Sequence, residues 1–136
     1  MSTRARVIHF EIHAKDPDRA MRFWNGAFGW AFNKWSGPHD YWNIQTSGDG
    51  ENCINGGMAY RHGPSPREGQ PVNGAVCTLS VEDLESAISD VILHGGKVAV
   101  EKIAIHRVGW LAYFRDTEGN LFGILEKDPT AENPGP

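Results

Sequence analysis

The chain has 136 residues, of which 40% are hydrophobic and 22% are charged, and its formal net charge at pH 7 is −4. This length is typical of one globular domain, and no apolar segment is long enough to predict a membrane span. The acidic balance and the scattered Lys and Arg residues argue against nucleic-acid binding. Because the first residues, MSTRARV, lack the apolar stretch of a signal peptide, we expect a cytoplasmic protein.

The segment VIHFEIHAKDPDRAMRFWNGAFG predicts a strand followed by an amphipathic helix. His9, Glu11 and His13 alternate along the strand, so their side chains share one face and the apolar residues between them share the other. Asp16 is a good helix N-cap, and Gly29 is typical of the residue that ends a helix. A strand face that carries two histidines and a glutamate is either solvated surface or part of a functional site.

The rest of the chain predicts seven more strands and a second helix. The strands are expected at about 30–35, 40–46, 54–61, 75–81, 97–105, 109–114 and 120–126. The second helix begins after Asp83 and ends at Gly95 and Gly96. Segment 62–74 is rich in proline and glycine and is predicted to be a linker. The polar tail 128–136 is predicted to be disordered.

The pattern of the first half restarts in the second half at a constant offset of 67 residues. Pairs at this offset include Asp16 and Asp83, Asp18 and Glu85, Ala20 and Ala87, Gly29 and Gly96, Asp49 and Asp116, and Glu51 and Glu118. This repeat predicts an α+β fold in which one domain, 1–136, is built from two βαβββ modules. Module one is expected at about 6–62 and module two at about 75–127, on either side of the linker.

Three stretches carry a resemblance to a known family: HFEIHAKDPDRAMRFW followed by GAFGW, then SVEDLESA and GGKV, and finally GWLAYFRDTEGNLFGILE. In their order, and with the repeat, they make the chain resemble the vicinal oxygen chelate superfamily. That superfamily includes glyoxalase I, bleomycin-resistance proteins and extradiol dioxygenases. The resemblance implies paired modules whose eight strands curl into a sheet around a cleft, commonly in a homodimer.

In metal-using members of this superfamily, strands one, four, five and eight each supply one ligand. By position, the resemblance places these ligands at His9, Gly57 (or Gly56 if the register slips), Val76 and Gly123. Glycine and valine side chains supply no donor atoms to a metal ion. We therefore expect no resident cofactor. We also expect the glycines to leave room for an organic ligand, or to allow neighbouring strands to approach closely.

The alternative is a divalent metal ion held in a rearranged site by His9 and Glu11. Residues four apart on an extended strand are about 13 Å apart, so His13 cannot join His9 on the same ion. Glu126 is a further carboxylate, but it lies three residues beyond Gly123 and therefore on the opposite strand face. The missing donors would have to come from elsewhere in the chain.

Glu11 and His9 are the candidate catalytic residues, because counterparts of this strand face line the cleft in the family. A carboxylate inside a fold is costly unless it is paired or protonated. His9 or Arg61 would keep Glu11 ionised, whereas a neutral Glu11 would serve as general acid or base. The structural alternatives are a hydrogen-bonded pocket histidine and a simple ion pair.

The candidate substrate-binding residues are His13, Arg61, Trp42 and Trp110. Arg61 follows the fourth predicted strand. At this position its guanidinium would either bind an anionic group of a ligand or lie in solvent. The two tryptophans, together with Trp35 and Tyr41, are expected to form the wall of the pocket.

The leading hypothesis is a glyoxalase-like protein that binds a small organic molecule in the cleft, either as a carrier or as a metal-independent lyase or isomerase. The competing hypothesis is a metal-dependent lyase, isomerase or dioxygenase that uses His9 and Glu11. A third is an interaction domain with a vestigial cleft.

Overall fold

The computed structural model describes residues 4–48 and 52–132, which form eight strands and two helices. In chain order these elements are β1 (Arg6–Ala14), α1 (Pro17–Phe28), β2 (Ala31–Lys34), β3 (Tyr41–Gln45), β4 (Gly56–Tyr60), β5 (Val76–Val81), α2 (Leu84–Leu93), β6 (Lys97–Ile105), β7 (Gly109–Arg115) and β8 (Leu121–Lys127). The repeated βαβββ order and the α+β class are therefore confirmed. None of the helices within the described residues is long and apolar enough to cross a membrane.

The described residues group into two compact units. We call His9–Ala75 the N-terminal unit, and we call the remaining described residues the C-terminal unit. In the N-terminal unit the strand order is β2-β3-β4-β1, with β1 and β4 parallel and the other pairs antiparallel. In the C-terminal unit the order is β5-β8-β7-β6, with β5 and β8 parallel.

Helix α1 begins and ends where the sequence predicts. The side chain of Asp16 accepts a hydrogen bond from the Arg19 backbone N–H, Pro17 occupies the first turn, and Gly29 ends the helix with a φ of 75°. The ring of Trp24, within the helix, stacks on the ring of Trp30, just beyond it, with their centroids 4.4 Å apart and their planes 9° apart. This stack packs the end of α1 onto the chain that leads into β2.

Each unit has its own small hydrophobic core. In the N-terminal unit the buried residues are Ala14, Trp42, Ile44 and Met58. In the C-terminal unit they are Leu84, Ala112, Phe114 and Ile124. Asp83 caps α2 by accepting hydrogen bonds from the Glu85 and Ser86 backbone N–H groups, as its position in the repeat predicted.

The turn before β8 and the tail beyond it test two further predictions. Asp116 accepts hydrogen bonds from the backbone N–H groups of Glu118 and Asn120, which confirms the predicted turn. The corresponding residues of module one, 49 and 51, lie outside the described residues. The prediction of a disordered tail is wrong for its first part, because Ala131 is 1% exposed and its carbonyl accepts a hydrogen bond from Arg107.

Candidate functional site

The polar face of β1 is the candidate functional site. His9, Glu11 and His13 alternate with Phe10 and Ile12, which pack against the buried core of the N-terminal unit. All three polar side chains are only partly exposed. The structure therefore brings onto one face the three side chains that the sequence predicted there.

Tyr41 of β3 joins this face through its hydroxyl group. Its Oη atom lies 2.9 Å from His9 Nε2. Burial lowers the pKa of His9 below its usual value of 6.5, and the negative charge of Glu11 partly opposes this shift. The imidazole is therefore neutral at pH 7, and its Nε2 atom accepts or donates one hydrogen bond according to the tautomer. The sequence predicted an aromatic wall that included Tyr41, but not this hydrogen bond.

The position of the Tyr41 hydroxyl depends on Gly57 of β4. A Cβ atom on Gly57 would lie 1.6 Å from Tyr41 Oη and 2.1 Å from its Cζ. Gly57 is also the position from which strand four would supply a metal ligand. The space that we expected an organic ligand to enter at this glycine is therefore filled by the protein's own phenol ring.

The second glycine at a ligand position, Gly123 of β8, is also covered by a tyrosine. A Cβ atom there would lie 3.1 Å from Tyr113 Cε1 and 3.2 Å from Thr78 Oγ1. Within residues 4–48 and 52–132, no three His, Cys, Asp or Glu side chains are placed to hold a metal ion together. The donors among these described residues therefore do not fit the metal centre that the resemblance describes.

Glu11 is hydrogen-bonded to His13. Glu11 Oε2 lies 2.8 Å from His13 Nε2, with the two side chains 19% and 34% exposed. The predicted partners, His9 and Arg61, are engaged elsewhere: His9 with Tyr41, and Arg61 with the His13 carbonyl oxygen at 2.9 Å from its guanidinium. His9 and His13 both lie two residues from Glu11 on the same strand face, but His9 Nε2 contacts the Tyr41 hydroxyl, and the hydrogen-bond partner of Glu11 is His13 instead of the predicted His9 or Arg61.

Trp42 and Trp110 do not lie where we predicted. Trp42 is 9% exposed and packs with Ile44 and Met58 in the core, on the opposite face of the sheet from Tyr41. Trp110 packs against the core of the C-terminal unit, and its Nε1 donates a hydrogen bond to Asp128 Oδ2 at 3.1 Å. These placements contradict the prediction that both rings wall a ligand site.

Glu126 was considered above as a metal ligand, but in the structure its side chain caps a helix. Its Oε1 accepts a hydrogen bond of 2.8 Å from the backbone N–H of Leu84, the first residue of α2. Leu84 is 1% exposed, so water cannot readily replace this acceptor. Glu126 is a structural residue of the C-terminal unit.

The neutral state of His9 makes the stability of the protein depend on pH. The pKa of His9 is lower in the folded protein than the value of 6.5 in the unfolded chain. At a pH between these two pKa values, the unfolded state therefore binds more protons than the folded state. The free energy of unfolding therefore falls as the pH falls below 6.5, until the folded pKa is passed. We expect His9→Gln to lose this part of the pH dependence, measured by urea unfolding at about pH 7.5 and 5.5.

The matched control is His106→Gln, since the His106 side chain is 61% exposed. This variant is expected to keep the wild-type dependence on pH. If His9→Gln and the wild type lost equal stability on acidification, the contribution assigned to His9 would be wrong.

Comparisons with known proteins agree with this fold. The model of the Glyoxalase/Bleomycin resistance protein/Dioxygenase superfamily matches residues 6–124. A glyoxylase-like domain-containing protein from Didymella fabae is 31% identical over 130 residues, which are 93% of this chain and 98% of that protein.

Two solved structures show the same fold at low sequence identity. A hypothetical protein from Bacillus halodurans aligns with a TM-score of 0.67 at 15% identity, covering 96% of this chain and all of that one. The methylmalonyl-CoA epimerase from Mycobacterium tuberculosis aligns with a TM-score of 0.59 at 15% identity, covering 90% of this chain and 88% of that one. At these identities the similarity concerns the fold alone.

Proposed function

Because this chain belongs to the Glyoxalase/Bleomycin resistance protein/Dioxygenase superfamily, we propose that it binds a small organic molecule at the polar face of β1 without a resident metal ion. The observation that carries the metal-free part of the proposal is the position of the Tyr41 hydroxyl over Gly57, the residue from which strand four would supply a metal ligand. The phenol removes one ligand position and keeps a hydrogen bond to His9 on the same face.

The polar face offers a ligand both hydrogen-bond donors and acceptors. The neutral His9 ring has a second nitrogen beyond the one that contacts Tyr41, and the Glu11 carboxylate has the capacity to accept hydrogen bonds from a ligand besides the one from His13. Hydrogen bonds at a partly buried face are stronger than in bulk water. A molecule with carbonyl and hydroxyl groups has the complementary chemistry.

The same side chains support an enzymatic form of this proposal, a metal-independent lyase or isomerase. Glu11 would remove a proton from the bound ligand and return it at a neighbouring atom, while the neutral His9 ring would donate a hydrogen bond to the oxygen on which negative charge develops. His13 would orient the Glu11 carboxylate through their hydrogen bond. Glu11→Gln keeps the size of the side chain and removes the base, so a catalytic role predicts lost turnover with ligand binding retained.

The first experiment measures the metal content of untagged protein purified without chelator, followed by a thermal-shift screen of small organic molecules. We expect no stoichiometric metal and at least one ligand that raises the melting temperature. His9→Ala is expected to weaken binding of that ligand about tenfold, since it removes a hydrogen-bonding group from the site. The control His106→Ala removes an exposed histidine and is expected to bind as the wild type does.

A stoichiometric metal ion that is lost in His9→Ala would contradict the proposal. It would favour the metal-dependent lyase, isomerase or dioxygenase in which His9 and Glu11 are ligands. The cytoplasmic location and the homodimer stay predictions from the sequence and the resemblance.

A further inference from the structure

A groove with a volume of about 400 Å³ lies in the N-terminal unit, where the parallel strands β1 and β4 end and α1 begins. Its wall includes His13, Lys15, Asp16, Arg19, Phe23 and Arg61. Ligand sites are common at the carboxyl ends of parallel strands, because loops and a helix N-terminus converge there. The volume is within the range of small-molecule sites.

The wall of this groove is positively charged, although the chain as a whole carries a net charge of −4. Lys15, Arg19 and Arg61 contribute three cations, against the single carboxylate of Asp16. In the part of the chain that the structure describes, none of these cations lies within ion-pair distance of a carboxylate. Asp16 is engaged in capping α1 through the Arg19 backbone N–H.

Backbone carbonyl groups, rather than carboxylates, hold two of these cations in place. The Arg61 guanidinium donates to the His13 carbonyl oxygen at 2.9 Å, and Lys15 Nζ donates to the Gly63 carbonyl oxygen at 3.2 Å. These contacts fix the side chains without neutralising them. A guanidinium has five N–H donors, so this contact of Arg61 leaves others to bind an anion.

Phe23 adds an exposed aromatic ring to the same groove. The residue is 57% exposed, although it is a large apolar side chain on a helix. Its ring contacts Trp24 edge to face at a centroid distance of 5.1 Å, and Phe28 at 6.3 Å. These neighbours restrict the orientation of the ring, and its exposed part can contact a flat ligand.

We propose that this groove binds a phosphorylated small molecule whose ring system lies against Phe23. A phosphate group offers several anionic oxygens to a cluster of three cations, whereas one carboxylate would be satisfied by a single arginine. The proposal does not depend on the function proposed above, because His13 is the one residue named at both places. If the groove proved not to bind phosphate, the proposal that a ligand binds at the polar face of β1 would be unaffected.

The test is calorimetric titration of the full chain with inorganic pyrophosphate, ADP and adenosine at constant ionic strength. Arg19→Gln is expected to weaken pyrophosphate binding about tenfold, because it removes a charge-assisted contact. Arg22→Gln is the matched control: Arg22 is exposed on the same helix but does not line the groove. Its effect is expected to stay within about twofold.

The aromatic part of the proposal has its own pair of variants. Phe23→Ala is expected to weaken ADP binding about fivefold and to leave pyrophosphate binding unchanged, since only ADP carries a ring. Leu93→Ala removes an apolar side chain that is 77% exposed and outside the groove, and should change neither. The phosphate site is overturned if pyrophosphate shows no saturable binding, or if Arg22→Gln weakens it as much as Arg19→Gln does. The role of Phe23 is overturned if Phe23→Ala leaves ADP affinity unchanged.

Discussion

Gly57→Ala is expected to lower the free energy of unfolding by about 1–3 kcal/mol and to break the hydrogen bond between Tyr41 and His9. The new Cβ atom would lie 1.6 Å from Tyr41 Oη and 2.5 Å from its Cε1, so the phenol ring has to leave its position. Without the Tyr41 hydroxyl against it, His9 is expected to gain contact with water, and its pKa to move back toward 6.5. Urea unfolding measures the first effect, and an NMR titration of His9 measures the second.

Two controls test whether Tyr41 is the cause. Gly123→Ala places its Cβ at 3.1 Å from the nearest atom, a tyrosine carbon, and is expected to cost less than about 1 kcal/mol. In a Tyr41→Ala background the obstacle is gone, so Gly57→Ala is expected to have little further effect on stability. An equal cost with and without Tyr41 would show that the contact between Gly57 and Tyr41 does not determine the result.

Glu126→Ala is expected to destabilise the protein by about 1–3 kcal/mol, because it leaves the buried N–H of Leu84 without its acceptor. The hydrogen bond between Glu126 Oε1 and the Leu84 nitrogen is 2.8 Å long and lies at the positive end of α2. Thermal or urea unfolding measures the loss. Hydrogen exchange in the first turn of α2 is expected to accelerate more than exchange in β3.

Glu126→Gln separates the hydrogen bond from the charge. Its amide oxygen still accepts from Leu84, so we expect a smaller loss of about 0.3–1 kcal/mol from the missing charge at the helix N-terminus. Glu101→Ala, at an exposed position in β6, is the control and is expected to be close to neutral. If Glu126→Gln proved as unstable as Glu126→Ala, the acceptor role of this side chain would be wrong.

The helices and the repeat were predictable because their signals are local in the sequence. Asp16 and Asp83 cap their helices through residues two or three positions away, and Gly29 takes the left-handed conformation that glycine favours. Alternation likewise predicted that His9 and Glu11 share a face. None of these features depends on how distant strands pair.

The features that the sequence analysis missed depend on pairing between distant segments. Tyr41 reaches Gly57 only because β3 pairs with β4 in the observed register, and the sequence does not fix that register. Glu126 meets Leu84 across 42 positions. The error at Trp42 is different: its alternation with Tyr41 placed it on the apolar face, and that signal was available in the sequence.

The stacked pair of Trp24 and Trp30 gives the N-terminal unit an optical signature. Two indoles with centroids 4.4 Å apart and nearly parallel planes couple their electronic transitions, and this coupling contributes to the circular dichroism of the protein while the stack persists. In the C-terminal unit the sequence supplies a single tryptophan, Trp110, which lies beneath the Lys102 ammonium at 5.1 Å. Circular dichroism of the pair and fluorescence of a variant that retains only Trp110 would therefore report on different halves of the chain.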